Sequence, residues 1–146
     1  MNRLFILAVI CCVVSVTTNA QTLKLDFFNK MPATVEVCSA LYTYDTTSLK
    51  KKKYIMVSDF QDKGFITVAG KQIALKLTDT KLSNKVNTIY TYTGGGYTVT
   101  TNVHVTTQTT YIDMESGTLV VTKGKEKLVI KIHGQSGCDE SKEERN

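Results

Sequence analysis

The 146-residue chain carries a formal charge of +5, with 42% apolar residues, one proline and no tryptophan. That suffices for one domain with its own core, and no Pro-rich or Gly/Ser-rich stretch divides it. The basic residues are lysines apart from Arg3 and Arg145. So few bidentate guanidiniums argue against a nucleic-acid partner.

Read from the N-terminus, Arg3 precedes an uncharged apolar run over residues 4–14, and Thr18-Asn19-Ala20 follows. This is the layout of a secretory signal peptide cut near Ala20, and the run is too short to span a bilayer. A secreted or periplasmic protein is therefore expected, with membrane contact at most peripheral. Cys11 and Cys12 leave with residues 1–20, and Ile10 is not the small residue that lipidation of Cys11 would want. Residues 21–138 are expected to form the domain. Residues 139–146 carry Asp139, Glu140, Glu143 and Glu144 against Lys142 and Arg145, and read as a disordered charged tail. The body is thus more basic than the whole chain, which fits either an anionic partner surface or plain solubility.

Val, Ile, Thr and Tyr recur along the mature chain, turn signals are closely spaced, and no segment reads as a helix. Residues 22–28 alternate Leu23, Leu25 and Phe27 against Lys24 and Asp26, which predicts a strand. A second strand is expected over 34–44. A polar loop over 45–53 ends in four lysines, and a short strand follows over 54–60. Residues 64–78 predict a hairpin turning at Gly70-Lys71, with Ile66 opposite Leu75. Residues 118–133 predict another turning at Gly124-Lys125, with Val121 opposite Leu128 and Leu119 opposite Ile130. Between them, strands over 86–93 and 97–105 flank Gly94-Gly95-Gly96, and either glycine pair can make the turn. A strand over 109–114 leads to a turn at Ser116-Gly117. Residues 134–137 read as a turn into Cys138.

The expected fold is all-β. About eight or nine short strands in sequential hairpins form one antiparallel barrel or sandwich. The Thr-rich region over 88–110 suits an edge or an outer layer. In an oxidising compartment Cys38 and Cys138 are expected to pair. The bridge would close a loop of roughly 100 residues, stabilising by up to about 4–5 kcal/mol.

Catalytic, cofactor and metal sites are all expected to be absent. His104 and His133 have no third ligand at suitable spacing. No Gly-x-Ser-x-Gly elbow occurs, and the triple glycine does not lead into a helix as a phosphate loop would. Two surfaces stand out as candidates for binding. Lys50, Lys51, Lys52 and Lys53 could dock an anionic glycan, a lipid head group or an acidic protein, or simply be solvated. Tyr90, Tyr92 and Tyr97 surround the glycine turn, either as an adaptable contact face or as cross-strand packing pairs.

The segments Gly94-Gly95-Gly96-Tyr97-Thr98-Val99, Gly117-Thr118-Leu119 and Lys131-Ile132-His133-Gly134-Gln135-Ser136-Gly137-Cys138 resemble small exported bacterial β-proteins that end in a Gly-x-Ser-Gly-Cys-like turn. The resemblance implies an envelope or secreted protein and no activity. A looser architectural similarity, carried by Gly70-Lys71 after a strand and by Cys138 closing a late one, is to periplasmic inhibitors of c-type lysozyme. It transfers no site residues, and basic charge would oppose a basic lysozyme at long range. The expected function is a non-enzymatic exported binding module. Its partner would be an extracellular or envelope protein or an anionic glycan surface. The alternatives are an inhibitor of a secreted hydrolase and a structural cell-surface protein.

Overall fold

The computed structural model describes residues 22–35, 38–59, 61–84 and 86–138. The expected signal peptide, its cleavage point and the charged tail lie outside the described residues. Among the described residues eight strands follow one another: β1 (Cys38–Thr43), β2 (Met56–Asp59), β3 (Lys63–Val68), β4 (Lys71–Ser83), β5 (Asn87–Gly94), β6 (Tyr97–Gln108), β7 (Ile112–Lys123) and β8 (Glu126–Cys138). Each pairs antiparallel with the next, and β1 returns to β8, so the sheet closes into a barrel. Closure leaves no free edge, so the Thr-rich region forms the interior strands β5 and β6 instead of an edge. Thr101 is even buried on the inward face. Eight strands enclose an interior just wide enough for side chains or for one small ligand.

The Cys38–Cys138 disulfide is present, and its two cysteines are direct register partners at the β1–β8 seam. It marks one end of the barrel, together with the β2–β3, β4–β5 and β6–β7 connections. The β3–β4, β5–β6 and β7–β8 turns and the long β1–β2 connection lie at the other.

At that second end residues 22–28 form no strand. Their backbone crosses as a strap: Asp26 N–H donates to Thr67 O and Phe28 N–H to Tyr54 O, both at 2.9 Å. Gly70 N–H donates to the Asp26 carboxylate at 2.9 Å, and the Tyr44 hydroxyl to Leu25 O at 2.6 Å. The alternation serves to drive Leu23 and Leu25 into the core, where Leu25 is 1% exposed. Above this plug Ile66, Leu75, Val99, Leu119, Val121, Ile130 and Ile132 fill the interior.

The polar loop contains a helix, α1 (Thr46–Lys50), that composition alone hides. Asp45 caps it by accepting from Ser48 N–H at 2.7 Å and from the Ser48 hydroxyl at 3.0 Å. Such a cap satisfies an otherwise orphan helix donor. Leu49 drops onto the outer barrel face with Tyr54 and Val57, flanked by Phe28, Val35, Leu41 and Met114.

The β7–β8 hairpin has the expected register, Val121 opposite Leu128 and Leu119 opposite Ile130. In the β3–β4 hairpin the turn is Ala69-Gly70, not Gly70-Lys71, and Ile66 faces Ile73 rather than Leu75. Both turn residues have positive φ, 49° and 71°, as a type I′ turn demands. The shift moves the partner by two residues, so the buried face is unchanged. The glycine hairpin turns at Gly95-Gly96, with Tyr92 opposite Val99. No turn occurs at Ser116-Gly117 or over 134–137; β7 and β8 run straight through and pair there.

Candidate ligand-binding cavity

Above the filled half, the interior toward the disulfide end stays open because its inward positions switch to small residues. Ser136, Ala40 and Ser58 stand side by side across β8, β1 and β2. Two tyrosine rings enter this space over glycines. Tyr42 is the register partner of Gly134 and lies against it. A Cβ on Gly64 would stand 2.9 Å from the Tyr92 ring, closer than real contacts allow. The result is a cavity of about 150 Å³, walled by Tyr42, Tyr90 and Tyr92 and bordered by Leu77, Asp59 and Glu115.

Glu115 projects inward from β7, in the same alternation as Leu119 and Val121. One carboxylate oxygen accepts from the Tyr42 hydroxyl at 2.7 Å and the other from the Ser136 hydroxyl at 2.6 Å. Both donors are neutral. The only ion pair among the described residues joins exposed Lys81 to Asp79, so Glu115 and Asp59 have no cationic partner there. Asp59 Oδ1 accepts from the backbone N–H of Gln61, Asp62 and Lys63 at 2.8–3.0 Å. Those bonds pin the β2–β3 connection and hold the Asp59 carboxylate at the cavity.

No protein-family model, curated protein or solved structure matches this chain.

Burial pushes the Tyr42 phenol well above its ordinary range, reinforced by the charge of Glu115 and by the hydrogen bond to it. Tyr92 is raised by burial, offset in part by a hydrogen bond with Ser58. Tyr90 is raised by burial and then by the Glu115 charge. All three therefore stay neutral near neutral pH.

The three tyrosines that surround the glycine turn in the sequence are thus divided and turned inward. Tyr90 and Tyr92 line the cavity, and Tyr92 is only 4% exposed. Tyr97 lies toward the strap end, where Lys123 Nζ sits 4.6 Å above its ring and 3.2 Å from its hydroxyl. Lys50, Lys51, Lys52 and Lys53 are exposed at the strap end. Lys50 occupies the last turn of α1, where a cation suits the helix dipole. Lys53 Nζ stands 5.7 Å from the Phe27 ring centroid. His104 and His133 are not on neighbouring strands. Both pair in register with Ser116, on the strand between them. Among the described residues no group of three His, Cys, Asp or Glu side chains is placed to hold a metal.

Sequence reasoning missed Glu115, Asp59, Tyr42, Ser58 and Ser136. The signal was available for two of them. Alternation backwards from Leu119 and forwards from Ile132 puts Glu115 and Ser136 on the inward face. The turns expected at Ser116-Gly117 and over 134–137 interrupted that count.

Proposed function

We propose that this chain is an exported, non-enzymatic binding protein that holds a small ligand in the cavity at the disulfide end of its barrel. One observation carries this reading: the interior is densely filled on the strap side, while a row of small residues keeps the other side open. A barrel meant only to be stable would fill both. The disulfide supports the reading twice over, since it suits an oxidising compartment and ties the seam on which Ala40, Tyr42 and Ser136 lie.

The test is an NMR titration of the full, disulfide-bonded chain with benzene-sized fragments, the size that a cavity of about 150 Å³ accepts. Shifts are expected at Ala40, Tyr42, Ser58 and Tyr92, and Ala40→Leu should abolish them by filling the space. Shifts confined to the strap end, or none, would refute the assignment.

A second reading rests on a separate observation. Lys50–Lys53 and Lys125 lie on connections at the strap end, and Lys71 opens β4 there. They support attachment to an anionic glycan surface. Retention on a heparin column that is lost when the four consecutive lysines become Ser would test it.

A further inference from the structure

We infer that the cavity takes a small organic cation, a primary ammonium compound of about benzene's size, with Glu115 as its counter-ion. The inference rests on the proposed binding role of the cavity and adds the chemical class of the ligand.

The argument begins with charge. Glu115 lies in the barrel wall with both oxygens engaged only by neutral hydroxyls, those of Tyr42 and Ser136. A carboxylate oxygen accepts about two hydrogen bonds, so these two leave capacity unused. Asp59 brings a second carboxylate to the same cavity, and among the described residues no Lys, Arg or His forms an ion pair with either. A partly buried charge without an opposite charge is unfavourable, and a bound ammonium would relieve it. An anion would face two like charges, and a neutral isostere would displace water without compensating them.

The tyrosines point the same way. Ring faces attract cations through their quadrupole, most strongly where water is excluded. Tyr42 is 2% exposed and Tyr92 4%. Their rings are held in place over Gly134 and Gly64, so the wall is formed before any ligand arrives. Leu77 adds an apolar patch for a hydrocarbon body. The donor set does not suit a bare divalent ion, because calcium takes about six to eight oxygens and only two carboxylates border the cavity.

The experiment uses the full, disulfide-bonded chain and four probes measured alone: benzylamine, benzyl alcohol, benzoate and calcium chloride. Calorimetry gives affinities, and NMR shifts locate each site. Benzylamine should bind at least tenfold tighter than benzyl alcohol, with benzoate and calcium undetectable in the cavity. Glu115→Gln should lose tenfold or more for benzylamine and little for benzyl alcohol. Should that variant fail to fold, the amine-to-alcohol ratio of the unaltered chain still decides the matter. Equal or tighter binding of benzyl alcohol or benzoate would overturn the charge assignment while leaving the cavity a binding site. Calcium binding without the amine would overturn the ligand class. Undiminished benzylamine binding by Glu115→Gln would remove Glu115 as the counter-ion. Shifts with none of the probes would sink the cavity reading itself.

Discussion

The two ends of the barrel share one sheet and differ in what their inward positions carry. Toward the strap the inward side chains are mainly Ile, Leu and Val, with Met56 and Tyr97 among them, and the strap adds Leu23 and Leu25 from outside the sheet. Toward the disulfide they are Ala40, Ser58, Ser136, Gly64 and Gly134, with three tyrosines and Glu115 reaching between them. The strap end carries the exposed lysine run, while the disulfide end holds the tyrosine-walled cavity and borders two carboxylates. Dense apolar packing at one end can support space and unpaired charge at the other. Binding sites often sit at such locally costly places, supported by a rigid remainder.

That division is open to attack from either side. The largest effect is expected from replacing Cys38 and Cys138 by Ser. The change should cost about 2–5 kcal/mol of unfolding free energy in a denaturant titration. Hydrogen exchange should show protection lost first at the disulfide end of β1 and β8, while the strap amides of Asp26 and Phe28 stay protected. Leu25→Ala attacks the opposite end. Removing a side chain that is 1% exposed should cost about 2–5 kcal/mol, with the order of protection reversed. Equal loss of protection at both ends in both variants would mean that the barrel is one cooperative unit and the contrast purely geometric.

A subtler change separates space from stability. Gly64→Ala places a Cβ against the Tyr92 ring and should cost about 1–3 kcal/mol as overpacking. The displaced ring should also weaken fragment binding in the cavity, read by the same NMR shifts. Lost stability with unaltered binding would show that Tyr92 does not shape the site.

How much of this contrast was legible follows from period and turn chemistry. Alternation with period two fixes which face a residue occupies, and that reading was sound in both argued hairpins. It does not fix the partner. The β3–β4 hairpin slipped by two residues without moving one side chain to the other face. Gly124-Lys125 offered one favourable turn, and the β7–β8 register was readable outright. At Ala69-Gly70 the first turn residue is an alanine in the left-handed region, a choice that turn propensities disfavour. The helix α1 is held by an Asp45 cap and one buried leucine, too little periodicity to register among polar neighbours. Glycine and serine near the ends of β7 and β8 looked like punctuation. Two of them, Gly134 and Ser136, sit beside Tyr42 and Glu115 in the interior, so the site was hidden by residues that help to form it.

The alanine offers a modest gain on the filled side. Ala69 has φ of 49°, where an L-residue with a plain Cβ is strained and Asn is better tolerated. Ala69→Asn creates the favoured Asn-Gly pair of a type I′ turn. A gain of up to about 1 kcal/mol is expected, with fragment binding at the disulfide end untouched. No gain would indicate that the strap's bond from Gly70 N–H to Asp26 already fixes the turn.

The smallest effect concerns pH and belongs to the strap end alone. The Ser48 backbone N–H, and after it the Ser48 hydroxyl, hold the Asp45 carboxyl below its ordinary range. A carboxyl depressed on folding contributes stability above its unfolded value, about 3.9, and loses it as pH falls through the lower folded value. Asp45 is exposed and solvent-screened, so α1 should loosen in acid well before the barrel does. Asp45→Asn keeps a capping oxygen and removes the titration. Its amide shifts over 46–50 should then be flat with pH where those of the unaltered chain move. Resonances of Tyr42 and Ala40 should be indifferent to this substitution, because α1 packs on the outside of the seam and the cavity lies within. A parallel response at Tyr42 would tie the two ends together through β1, the strand that carries Leu41 outward to the helix and Tyr42 inward to the cavity.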